Sequence, residues 1–201
     1  VSVTADKTAG TASSVDRGLS FKAWTTPTNT TSSNDARATS VLQFNTNAGV
    51  DEDVSDYLRL TNFGLTSTDI PNGSTINGIE VIIERSQVIN GQSSRDETII
   101  LSKTAGQVGT NKATATLWPS TDTDATYGTS SDLWGTTWSP SDITSANFGL
   151  DIATRLQFLD GDGVCTSRMA YVRLRVSYPS PAVLTASAGS YAITGTASTL
   201  T

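Results

Sequence analysis

Almost nowhere in this chain does an apolar period of 3.6 residues persist for three turns. Period-2 alternation and continuous β-branched runs dominate instead, bounded by Gly, Asn, Asp and Pro. Side chains alternate across a strand but recur every 3.6 residues around a helix, so the pattern commits the chain to strands. Strands are expected near 40–44, 57–63, 75–87, 97–103, 148–153 and 169–178. Weaker candidates lie at 2–5, 36–39 and 113–117. Ile82-Ile83 and Ile99-Ile100-Leu101 break the alternation, which calls for strands covered on both faces or for local bulges.

The turn chemistry is dense. Pro71-Asn72-Gly73 sets a rigid φ before two residues tolerant of positive φ. Asn77-Gly78 opens the longest run and Asn90-Gly91 closes it, so a hairpin is expected from 79–87 through Asn90-Gly91 into 97–103. The span 120–131, mostly Ser, Thr, Asp and Gly, reads as a long loop. Ser139-Pro140-Ser141-Asp142-Ile143 reads as a capped helical turn, with Ser139 as the cap and Pro140 in the first position. The tetrapeptide Asn-Phe-Gly-Leu occurs at both 62–65 and 147–150. Each copy reads as a local device: Phe toward the core, Gly for a bend or close approach, Leu resuming the strand.

A chain of 201 residues buries one sizeable core. Ser and Thr make up over a quarter of it, and only 16% is charged. Such a composition also suits a solvated stalk, but Trp24, Trp118, Trp134 and Trp138 would have no use there. The reading is therefore globular and all-β. A net charge of −6 argues against nucleic acid, which is held by Lys and Arg. The cluster Arg155, Arg168, Arg173 and Arg175 reads as a solvated strand face. No stretch approaches the about 20 apolar residues that span a bilayer, and Val1–Asp6 lacks the features of a signal peptide. One cysteine, Cys165, excludes an intrachain disulfide framework.

Beyond Tyr178, Pro179-Ser180-Pro181 makes a stiff break. Residues 182–201 then carry no charge and are too few to bury a core of their own. The chain thus divides into a sandwich over 1–178 and a Pro-hinged β arm over 179–201. Val183, Leu184, Tyr191 and Ile193 are its candidate contact residues, toward its own body or toward a neighbouring subunit.

Without histidine, the commonest general base, the standard nucleophile triads and most zinc sites are missing. Cys165 has no imidazole to activate it and reads as a core or loop thiol. Paired carboxylates can hydrolyse glycosides, and Asp51-Glu52-Asp53 and Asp96-Glu97 are the obvious clusters. Both read as solvated loop charges. No enzyme activity and no cofactor are expected. Asp160 and Asp162, in Asp-Gly-Asp-Gly, are candidate calcium ligands, although the EF-hand pattern is lacking and a hairpin turn explains them equally well. Trp134 and Trp138 offer indoles for stacking on a glycan, against the alternative of closing the core.

Several strings resemble a β-sandwich family of tailed-phage structural proteins. They are Tyr57 to Leu65, Ile70 to Arg85, Asn111-Lys112-Ala113, Trp118-Pro119, Tyr127-Gly128, Asp132 to Gly135, Trp138, Asp142-Ile143, Asn147 to Leu150 and Ala170 to Tyr178. Trp24 to Asn29 and Asn34 to Thr39 resemble its opening, so the likeness covers roughly 20–178. The segment Ser187 to Thr196 is similar to short β segments of phage structural proteins, whereas the usual family members close differently. The resemblance implies an antiparallel, jelly-roll-like sandwich on the virion, without an active site. The function it suggests is capsid decoration or cement on the shell exterior, bridging major capsid subunits as a homo-oligomer, with a trimer as the guess. A tail or fibre protein touching a host-surface glycan and a carbohydrate-binding module are the alternatives. Neither nucleic acid nor membrane is an expected partner.

Overall fold

The computed structural model describes residues 1–18, 21–44, 53–157 and 162–179. In chain order these contain β1 (Ser2–Val3), β2 (Lys7–Thr8), β3 (Thr11–Val15), β4 (Phe21–Lys22) and a 3-10 turn at Pro27–Thr31. Then come β5 (Ala38–Phe44), β6 (Val54–Ser55), β7 (Tyr57–Thr61), β8 (Gly78–Asn90), β9 (Ser93–Lys103), β10 (Gly106–Gln107) and β11 (Thr123–Gly128). The short helix α1 (Pro140–Ile143) leads into β12 (Gly149–Gln157) and β13 (Gly163–Tyr178).

Two sheets face each other. In the front sheet β13 pairs with β8 and β8 with β11, while β5, β2 and β1 line the other side of β13. In the back sheet β12 pairs with β9 and β9 with β10; β7 and β6 line the other side of β12, flanked by β3 and β4. The main strands therefore run β5–β13–β8–β11 and β7–β12–β9–β10, the two four-strand orders of a jelly roll. The fold is an all-β antiparallel sandwich, and β4 with β6 is the one parallel strand pair among the described residues.

The expected hairpin between β8 and β9 does not form. Asn90-Gly91 is instead a corner that carries the chain from one sheet to the other. β8 ladders with β13 from Ile89↔Cys165 to Gly78↔Ser177, and β9 ladders with β12 from Ser93↔Gln157 to Ser102↔Gly149. A turn sequence specifies a local reversal, and the long ladders decide which partner each strand takes. The corner is tight: Gly91 has a φ of 86°, and a Cβ on Gly163 would lie 2.8 Å from the Asn90 carbonyl oxygen. Two further expectations fail locally. The span 120–131 contains β11, whose Ala125 and Tyr127 pack toward the core, and 113–117 forms no strand beyond the single bridge Arg95↔Leu117.

The capped turn is as expected. Ser139 Oγ accepts from the Asp142 N–H at 3.1 Å, and Asp142 Oδ2 accepts from the Ser139 N–H at 2.9 Å. The twin Asn-Phe-Gly-Leu units meet in the core, since β7 lies beside β12 with Thr61 opposite Gly149. Phe63 and Phe148 are buried with ring centroids 5.9 Å apart, and Trp138 stands edge-on to Phe148 at 5.5 Å. The two glycines divide the expected roles. Gly64, at φ 64°, bends the chain out of β7; Gly149 permits close approach, because a Cβ there would lie 2.7 Å from both Leu60 O and Ser102 Oγ. Leu150 continues into β12, whereas Leu65 is buried outside any strand.

Phe148 touches both units, so Phe148→Ala should cost about 3–5 kcal/mol of unfolding free energy by loss of transfer energy and the cavity left behind. Urea denaturation followed by tryptophan fluorescence measures it.

Candidate functional site

The residues that looked chemical in the sequence converge inside the sandwich. The β9–β12 ladder shifts register where Thr98 faces Ala153 and Asp96 faces Thr154, leaving Glu97 as the extra residue of a bulge. Inward parity passes from Ile99 and Leu101 to Asp96 and Ser94 as a result. Asp96 is thus buried in β9, not a solvated loop charge, and Arg85 reaches it from β8 in the opposite sheet. Its Oδ1 accepts from Arg85 Nη1 and, at 2.8 Å, from the Trp118 indole N–H. Its Oδ2 accepts from the Tyr127 hydroxyl at 2.8 Å, the Thr114 N–H at 3.0 Å and the Thr114 hydroxyl at 3.1 Å. A carboxylate offers roughly four lone-pair sites, so five donors saturate Asp96 and leave nothing for a substrate. The Arg85 guanidinium also lies 5.1 Å from the Trp118 ring centroid and 5.6 Å from that of Tyr127. Burial, then the Asp96 charge, push the Tyr127 phenol far above its ordinary value.

A second buried group adjoins the first. Gln87 donates to the Trp118 carbonyl, and its Oε1 accepts from the Ser94 N–H at 2.6 Å and from the Cys165 thiol at 3.1 Å. Burial raises the thiol above its usual range, so Cys165 is a neutral core donor.

The remaining candidates are dispersed. Asp51, Glu52 and Asp160 lie outside the described residues, and so do Val183, Leu184, Tyr191 and Ile193 of the arm. Asp53 is buried rather than solvated: Oδ2 accepts from the Gln43 N–H at 2.7 Å, with Lys22 at 3.4 Å. Glu97 pairs with Arg155 at 3.1 Å. Asp162 is exposed, and among the described residues no three His, Cys, Asp or Glu side chains gather closely enough to hold a metal.

The glycan reading of the tryptophans is corrected. Trp134 is 0% exposed and Trp138 8%; their indole N–H groups donate to Ile79 O at 2.8 Å and Leu133 O at 3.0 Å. Lys103 sits over the Trp138 ring at 4.8 Å. Neither indole presents a face on which a sugar could stack; both close the core.

The outer faces carry ion pairs. Arg173 pairs with Asp124 at 2.5 Å and Asp6 at 3.3 Å, Arg175 with Asp6 and Glu80, and Arg37 with Asp122. On the back sheet Arg59 grips Asp151 with two hydrogen bonds of 2.7 Å. A hollow of about 300 Å³ beside it is lined by Arg59, Thr61, Ser102, Lys103 and Asn147, yet both its cations are already paired, Lys103 with Asp142 at 3.0 Å. Arg175 holds Asp6, and Arg37 holds Asp122, below the usual carboxylate range. Glu84 goes the other way: partial burial, then Asp122 and Asp124, raise it. Sequence reasoning missed the Asp96 seam because the Ile99/Leu101 alternation, continued without a bulge, points Glu97 inward.

The chain matches no family model and no curated protein.

Asp96→Ala should destabilise the protein by about 3–5 kcal/mol, because it strands the Arg85 charge inside, and adding Arg85→Met should recover part of that loss. Chemical denaturation of the four species of this double-mutant cycle measures both. Glu84 stands opposite Asp124 across β8 and β11, so Glu84→Gln should stabilise by about 0.2–1 kcal/mol at neutral pH. The carboxylate's folded pKa is raised, so its ionisation costs stability above that pKa. The gain should shrink as pH falls through it and vanish below the ordinary glutamate value, which thermal melts across the acid range test.

Proposed function

We propose that this chain is a structural protein of a tailed-phage virion, a capsid decoration or cement protein that lies on the shell exterior and bridges neighbouring major capsid subunits as a homo-oligomer. The observation that carries this reading is the inward turn of its chemistry. Asp96, Arg85, Tyr127, Cys165, Trp134 and Trp138 are all spent on joining or filling the two sheets. The outer strand faces carry mutually neutralised ion pairs, a surface suited to packing against other subunits without a reacting group. The sequence resemblance supports the same assignment and names its setting.

Purified protein should bind expanded capsid shells that lack it and raise their disruption temperature, read by light scattering during heating. Absence of binding to any shell would overturn the reading. Binding to tail tubes alone would move the protein from the capsid to the tail.

A further inference from the structure

The two flanks of the front sheet end differently. At β5 the outer edge is occupied: Thr25 bridges to Thr39, and the Gln43 N–H is spent on Asp53 Oδ2 at 2.7 Å. At the other flank β11 pairs with β8, and no second strand among the described residues pairs with it.

Which groups β11 presents follows from β8. The Ile79 N–H donates to Asp132 O and the Gln87 N–H to Pro119 O, so the odd residues of β8 aim their backbone groups at the β11 side. Ladder bonds alternate along an antiparallel pair. Arg85, Ile83 and Val81 therefore exchange bonds with Thr123, Ala125 and Tyr127, their partners in register. Asp124 and Thr126 then point their N–H and C=O groups away from the sheet. Both residues are exposed, so these groups form a free edge, a template for strand addition. Sheet edges are commonly guarded by lysine, proline or a covering segment. Thr123–Gly128 has only Asp124, and Arg173 draws that carboxylate back over the sheet at 2.5 Å.

Self-complementarity names the occupant. A two-fold axis through Thr126 sets two copies of β11 antiparallel, with Thr126 opposite Thr126 and Asp124 opposite Gly128 of the second copy. Facing threonines are a favourable cross-strand pair, and Gly128 has no side chain to oppose the carboxylate. Ala125 meets Tyr127, so the inward row stays inward. A register centred on Asp124 would set two carboxylates face to face.

We infer that β11 is a self-association edge, through which two copies pair Thr126 to Thr126 and join their front sheets into one. The inference rests on the homo-oligomer of the proposed function and supplies its contact; a two-fold edge closes as a dimer, not a trimer. The contact requires no shell. A monomer that still binds capsids would overturn it and leave the virion reading standing.

Sedimentation velocity and thiol cross-linking of the purified full chain test it. The wild-type chain should sediment as a dimer at micromolar concentration. Thr126→Lys sets like charges on the axis, and Thr126→Pro removes an N–H that the β8 ladder does not use, so each should weaken association tenfold or more. Near-UV circular dichroism of the buried indoles should stay unchanged, separating lost association from lost folding. Cys165 is buried, so Thr126→Cys introduces the one accessible thiol among the described residues. Paired Cα atoms in this register lie about 5.5 Å apart, within disulfide range. Oxidation should therefore give a covalent dimer at least tenfold faster than for Ser13→Cys, an exposed position on the back sheet. A monomeric wild-type chain, association untouched by Thr126→Lys, or cross-linking no faster than for Ser13→Cys would each overturn the inference.

Discussion

The mating of the two sheets depends on one buried carboxylate. Asp96 binds Arg85 and Tyr127 from the front sheet and Trp118 and Thr114 from the connection between β10 and β11. Apolar packing between sheets tolerates sliding, because one aliphatic contact resembles the next. A saturated carboxylate does not, since a shift of one residue would leave a buried guanidinium and a buried carboxylate unpaired, costing several kcal/mol. The seam therefore selects one alignment more than it adds net stability. A bulge accompanies it in each sheet: Glu97 is the extra residue opposite β12, and Ala170 the extra one between Met169↔Arg85 and Tyr171↔Glu84.

The seam divides the interior into unlike halves. On one side lie Trp134, Phe63, Phe148, Ile79, Val81 and Leu150, an aromatic and aliphatic core. On the other lie Gln87, Ser94, Ser55, Thr154 and Ser167 with only the small apolar group Leu42, Leu156 and Cys165. A Ser/Thr-rich chain short of large apolar residues closes one half by apolar burial and ties the other with the hydrogen bonds of Gln87, Ser94 and Ser55, while the buried hydroxyls of Thr154 and Ser167 have no partner among the described residues. Ser55 shows the device, since its hydroxyl accepts from the Thr154 N–H at 2.9 Å and donates to Asp56 O at 2.8 Å. Neutral hydrogen bonds each contribute about 1 kcal/mol net, so that half gains order more than stability.

What the sequence made legible follows from the range of the signal. Strand existence is local, and β5, β7, β8, β9, β12 and β13 all fall on the expected runs. The helix cap is local too, written in Ser139, Pro140 and Asp142. Sheet membership is not: Asn90-Gly91 reads the same whether it closes a hairpin or turns a corner, and only the ladders with β13 and β12 distinguish the two. β11 was hidden because Thr-Asp-Ala-Thr-Tyr-Gly is as polar as a loop and becomes a strand by pairing with Glu80–Arg85. Asp96 was hidden for a sharper reason. A bulge inverts the inward set of residues, and no local pattern around Glu97 announces one.

The same inversion bears on function. Clustered carboxylates, tryptophans and a lone thiol invite catalytic or ligand-binding readings when taken as a list of residue types. In the fold, Asp96 is saturated, the indoles of Trp134 and Trp138 donate to backbone carbonyls, and Cys165 donates to Gln87, so each of these groups is held by a partner within the protein. Reactivity needs an unsatisfied group within reach of a substrate. The buried hydroxyls that lack a partner among the described residues, those of Thr154 and Ser167, lie inside the sandwich, away from any substrate.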